Sequence, residues 1–157
     1  MPENSEGGGA MKKNRIWQLL FAVYGIVMLW LLFDRVGYEP GIPYTQQLKY
    51  NLLPFHTILL FLEALRLHTY RTAAVINLLG NILMFIPLGF LLPRAFPRLG
   101  RLWKTLLTAV GIVVTVEVLQ MLTLLGTCDI DDLILNTVGA VMGYTIHILL
   151  LKTSLSS

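Results

Sequence analysis

"CDIDDLILNTVGAVMGY", residues 128–144, carries three carboxylates and an asparagine into what otherwise reads as the opening of a membrane helix. An ionised Asp at the centre of a spanning helix costs about 2.5 to 3.5 kcal/mol on insertion scales, so such groups usually face protein or a watery cavity. At about 100° per residue, Asp129, Asp132, Asn136, Gly139 and Gly143 fall on one face of this helix. Asp131 points roughly opposite, towards headgroups or a neighbouring loop. The outer end of the polar face presents carboxylates and an amide. Its inner half presents Gly139-x-x-x-Gly143, a spacing that lets another backbone approach closely.

The rest of the chain fits a membrane reading. Its 157 residues allow one domain. They are 55% apolar and 13% charged, against roughly 25% charged in soluble domains, and the apolar residues come in long runs that rule out a water-soluble fold. The net charge of +3 sits in short basic clusters beside those runs, which orient helices and argue against a nucleic-acid partner. A span needs about 20 mostly apolar residues, and four stretches qualify: about 16–33, 75–93, 105–125 and 132–151. The expectation is therefore an all-α, polytopic helical bundle. Residues 1–15 read as a disordered cytoplasmic tail, and 16–152 as the membrane domain. The first span is long for a signal-peptide core and no small-x-small site closes it, so it reads as an uncleaved anchor. The single cysteine, Cys128, reads as a small residue at a helix entry.

Charge sets an expected topology. Lys12, Lys13 and Arg15 precede the first span, Arg94, Arg98, Arg101 and Lys104 lie between the second and third, and Lys152 follows the fourth. Placing both termini and the 94–104 loop in the cytoplasm satisfies every basic cluster. Residues 34–74 then lie outside. Within them "NLLPFHTILLFLEALRL" holds an apolar run, Ile58 to Leu62, too short to span and too apolar for water. A re-entrant or interface-lying helix started by the Pro54 turn is expected. A fifth span would put Glu63 and Arg66 inside the bilayer.

Polar residues recur at one depth. Glu117 and Gln120, three apart, share a face in the outer half of span three; Asn77 and Asn81, four apart, share one in the outer half of span two. Pro87, further in, removes a backbone hydrogen bond and predicts a kink. Accidental polar residues would not agree in depth, so these side chains are candidates for one outer-leaflet ligand site, with Glu117, Asp129 and Asp132 setting its charge. Arg66 and Arg71 are candidate partners for the carboxylates. A plainer reading stands beside this one, in which the amides only bond helix to helix. The oxygen ligands would suit a divalent cation, but the spacing does not demand one, and no cofactor is assigned. His56, His68 and His147 lack metal-ligand spacing, and His147 reads as a packing histidine. No G-x-S-x-G, Walker or H-E-x-x-H pattern occurs, and no catalytic residue is assigned. The oligomeric state stays open.

"NLLPF" (51–55), "NILMFIPLGFLLP" (81–93), "EVLQ" (117–120) and "DIDDLILNTVGAVMGY" (129–144) stand in the order and at the distances typical of VanZ-like membrane proteins, and on these the chain resembles that family. The resemblance covers nearly everything after the tail. It implies functional positions at Asn51, Pro54, Asn81, Glu117, Gln120, Asp129, Asp132, Asn136 and Gly139, and an association with low-level resistance to the glycopeptide teicoplanin. One departure is visible: many relatives carry an arginine shortly before the first aspartate, where this chain has Gly126-Thr127-Cys128. Together with the residue pattern, the resemblance points to a protein of the cell membrane that binds an envelope lipid, a lipid-linked wall precursor or a lipoglycopeptide. The rival readings are an enzyme acting on a lipid-linked substrate, with a carboxylate as general base, and a structural membrane scaffold.

Overall fold

Helices that are apolar all round are stable only in a large core or in lipid, and a chain this short has no core large enough to hold four of them. The computed structural model describes residues 6–34, 49–67, 71–123 and 127–156. It holds four long helices: α1 (Glu6–Asp34), α3 (Arg71–Ala95), α4 (Leu102–Leu122) and α5 (Ile130–Ser156). A short helix α2 (His56–Arg66) lies between α1 and α3. The stretches apolar enough to cross a membrane are Asn14–Leu31, Val75–Ala95, Leu102–Leu122 and Ile130–Thr153. At 1.5 Å per residue they reach roughly 27 to 36 Å, enough for ~30 Å of hydrocarbon. The chain is a four-span helical membrane protein. Of the stretch expected as a tail, residues 1–5 lie outside the described part and the chain is helical from Glu6.

α2 has 11 residues and so is about 16 Å long, too short for a fifth span. Thr57, Ile58, Phe61, Ala64 and Leu65 turn inward, while Leu59, Leu60 and Leu62 remain exposed. A short helix with an unburied leucine face suits the membrane surface rather than water.

Two three-residue strands, β1 (Lys49–Asn51) and β2 (Thr127–Asp129), pair in parallel, with Asn51 opposite Asp129. No alternating pattern long enough to signal a strand precedes either helix, so this ladder is not legible in the residue order. It sets the starts of α2 and α5 side by side.

The inner half is closed by α3 against α5. A Cβ at Gly139 would run into the Ile82 carbonyl, and one at Gly143 into the Ile86 carbonyl. The Gly-x-x-x-Gly face thus meets backbone, and its partner is α3. Phe85, Leu88, Val113 and Ala140 form the centre of the packed core, with Met28 added from α1. α3 continues through Pro87 and Pro93, although Pro87 offers no N–H to the Leu83 carbonyl four residues back. α1 leans on α3 through the Tyr24 hydroxyl, which donates to the Met84 carbonyl at 2.8 Å.

The basic end is tied by single polar contacts. The Gln18 amide donates to the Ala95 carbonyl at 3.3 Å, and the Tyr144 hydroxyl to the Gly100 carbonyl at 2.9 Å. Arg94 lies over the rings of Trp17 and Phe90 and donates through Nε to His147 Nδ1 at 3.1 Å. His147 is therefore a buried, satisfied packing residue.

Gly143→Ala should push α5 off α3 at an overpacking cost of roughly 1–3 kcal/mol. Gly111→Ala, where an added methyl meets open space, should change little. Thermal unfolding of the two variants in detergent checks the contrast.

Candidate functional site: a clamp and a cavity at the acidic end

The ladder positions two turns. After β1, Asn51 accepts the Leu53 N–H on its side-chain oxygen at 3.2 Å, and the His56 N–H closes onto the Leu53 carbonyl at 3.3 Å. Pro54 and Phe55 are the two central residues, and Phe55 adopts φ 66, ψ 2, as the third position of a type II turn requires. Glycine is usual there. For phenylalanine the left-handed conformation costs of order 1–3 kcal/mol and persists only when neighbours enforce it. The neighbour is Asp131. Its fully buried carboxylate accepts the Phe55 N–H on one oxygen and, at 3.1 Å, the Ile58 N–H on the other. Those are two of the orphan donors at the start of α2. Asp131 therefore serves the neighbouring segment, which is why it points away from the other acids.

Asp129 does the matching work for α5. Its Oδ1 accepts the Asp131 N–H at 2.9 Å, the geometry of an N-cap. Its Oδ2 accepts the Thr57 hydroxyl at 2.6 Å and the Asn51 amide at 3.3 Å. The Asp129 N–H in turn donates to Glu117 Oε2 at 3.3 Å. Asn51, Thr57, Asp129 and Asp131 form one clamp, with acids at the positive ends of two helix dipoles.

Below the clamp a cavity of about 760 Å³ opens among α1, α3, α4 and α5, within the usual range for ligand sites. Its polar wall is Asn77 and Asn81 from α3, Glu117 and Gln120 from α4, and Asp132 and Asn136 from α5. The remainder is apolar, including Leu31, Leu79, Leu83 and Phe85. Asn81 Nδ2 donates closely to Asp132 Oδ1. Glu117, only 7% exposed, accepts just the long bond from Asp129 among the described residues. The side-chain oxygens of Asn77 and Asn136 are buried without a partner among the described residues, and Asn136 as a whole is 3% exposed. A buried acceptor left unpaired costs about 1–3 kcal/mol, so an orphan pair in one cavity asks for a donor from outside.

Six of the eight residues singled out as ligand-binding thus share one wall. The other two, Asn51 and Asp129, belong to the clamp and touch the cavity only through Glu117. Gly139 and Gly143 pack one and two turns further in. Arg66 ends α2 and is exposed, about 15 Å along the helix from the carboxylates at its start. Arg71 opens α3, but its side chain lies outside the described residues, as does His68. Among the described residues no three His, Cys, Asp or Glu side chains gather as metal ligands. Sequence reasoning assigned no role to Thr57 or Phe55. Thr57 carried no signal, whereas Phe55 directly follows proline in a turn and was open to notice.

These features define a class: a polytopic helical membrane protein with a partly polar cavity at one end, beside a clamp that ties a short helix to the fourth span. The family model described as VanZ/LLP1 matches residues 21–151, and the chain belongs to that family. It is 30% identical over 129 residues to Protein VanZ of Enterococcus faecium, a match covering 82% of this chain and 71% of that protein. No solved structure matches.

Asp131→Ala should free the Phe55 and Ile58 N–H groups at a cost of roughly 1–3 kcal/mol. Amide exchange in residues 55–60 should quicken well before global unfolding. Cys128 gives a second test. Burial first, then the Glu117 and Asp129 carboxylates, raise its thiol pKa above the usual range. The thiolate is the reactive form, so maleimide labelling near neutral pH should be slower than for a free cysteine and climb as pH rises. Glu117→Gln should speed it.

Proposed function

We propose that this VanZ/LLP1-family protein binds an envelope amphiphile in the cavity: a membrane lipid, a lipid-linked wall precursor or a lipoglycopeptide. One observation carries the reading. Polar side chains from three helices, two of them with unpaired buried oxygens, face a single cavity large enough for a ligand. A scaffold whose amides only joined helices would have paired them.

The basic side chains of Arg98, Arg101, Lys104 and Lys152 stand at one end and the clamp at the other. The positive-inside rule supports an orientation with both termini in the cytoplasm and the cavity in the outer leaflet. There an acyl chain and a headgroup both reach it from the membrane, and a lipoglycopeptide antibiotic partitions to the same depth. Low-level teicoplanin resistance is the phenotype this supports. The carboxylates of Glu117 and Asp132 also allow general-base chemistry on a lipid-linked substrate, but no serine, threonine or cysteine lines the cavity with them among the described residues, so the binding reading is preferred.

Glu117→Gln and Asp132→Asn should each abolish a teicoplanin phenotype while membrane abundance holds, measured as susceptibility beside immunoblots of membranes. They should also strip lipid that co-purifies with the wild-type protein in native nanodiscs. Unchanged resistance in both variants would overturn the proposal.

A further inference from the structure

The donor and acceptor balance of the cavity wall names the group that enters, an inference resting on the binding reading above. Glu117 and Asp132 contribute carboxylates, and Asn77 and Asn136 contribute unpaired carbonyl oxygens. One of the two N–H donors of Asn81 is already given to Asp132. No lysine or arginine lines the cavity among the described residues. The wall has an excess of acceptors and of negative charge.

We propose that the cavity takes the primary ammonium group of an amphiphile, held between the Glu117 and Asp132 carboxylates and the Asn77 and Asn136 carbonyl oxygens. An ammonium brings three donors and a positive charge, so it meets the orphan oxygens and the carboxylates together. A phosphate or sulfate would bring acceptors to acceptors and a like charge to the carboxylates. A hydroxyl brings a single donor and leaves the charge unbalanced. The apolar part of the cavity runs out to Leu79 and Leu83, which are exposed on the outer surface of α3. That route suits a hydrocarbon chain lying beside the helix in the lipid.

The test places the full chain in phosphatidylglycerol nanodiscs doped with phosphatidylethanolamine, with its N-acetylated counterpart, or with dodecylamine, and counts retained amphiphile by native mass spectrometry. The amine-bearing lipid should be retained roughly tenfold better than the N-acetylated one, the size of one charge-assisted hydrogen bond. Glu117→Gln should erase that preference, and a melting curve checks that the variant is folded. Asn136→Leu gives the same readout without touching a charge. Retention of both phosphatidylethanolamine and dodecylamine supports the ammonium whatever carries it. Retention of dodecylamine alone also supports it, and excludes a phospholipid headgroup as the source. Equal retention of the amine and its N-acetyl form overturns the ammonium while leaving a lipid-binding cavity. Retention of no amphiphile overturns both.

Discussion

Everything at the acidic end depends on satisfying backbone N–H groups where two helices begin side by side. A helix start leaves four donors without intrahelical partners, and in or near lipid there is little water to meet them. Asp129 and Asp131, two residues apart and pointing in opposite directions, meet the problem in both places at once. One carboxylate caps its own helix and holds Thr57, and the other reaches across to the start of α2. Because the second contact also secures the Phe55 turn, α2, the fourth span and the ladder become one unit.

That unit changes the meaning of the acid cluster. An acidic run at a membrane edge suggests a ligand site, yet two of its three aspartates, Asp129 and Asp131, are occupied by the fold. The carboxylates left facing the cavity are Asp132, one face round from Asp131, and Glu117 from a different helix. The division is visible in their partners: Asp129 and Asp131 each accept at least two hydrogen bonds across the clamp, whereas Glu117 accepts one long one among the described residues.

The cavity itself follows from where the helices are allowed to touch. On α5 the same face carries Asp132, Asn136, Gly139 and Gly143. Its glycines are in backbone contact with α3, while Asn136, one turn away, is buried in the cavity wall. Small residues draw two helices together at one depth and long polar ones hold them apart at the next. A ligand site beside a close helix contact is the consequence, and the two need no separate explanation.

Four apolar runs of spanning length, the basic residues at alternate ends and the helical spacing of Asn77 with Asn81, Glu117 with Gln120 and Asp132 with Asn136 were legible in the chain alone. Each depends on local periodicity, which a linear sequence records directly. The short length of Ile58 to Leu62 also foretold that α2 would not span. What no local pattern contains is which donor a given carboxylate meets. Asn51 and Asp129 are 78 residues apart and Phe55 and Asp131 are 76 apart, so their pairing exists only once the ladder has formed. The amino-acid order determined how many helices cross and which faces are polar. Tertiary structure decided which acids became caps and which were left facing the cavity, because hydrogen-bond satisfaction depends on distances between segments that the order does not carry.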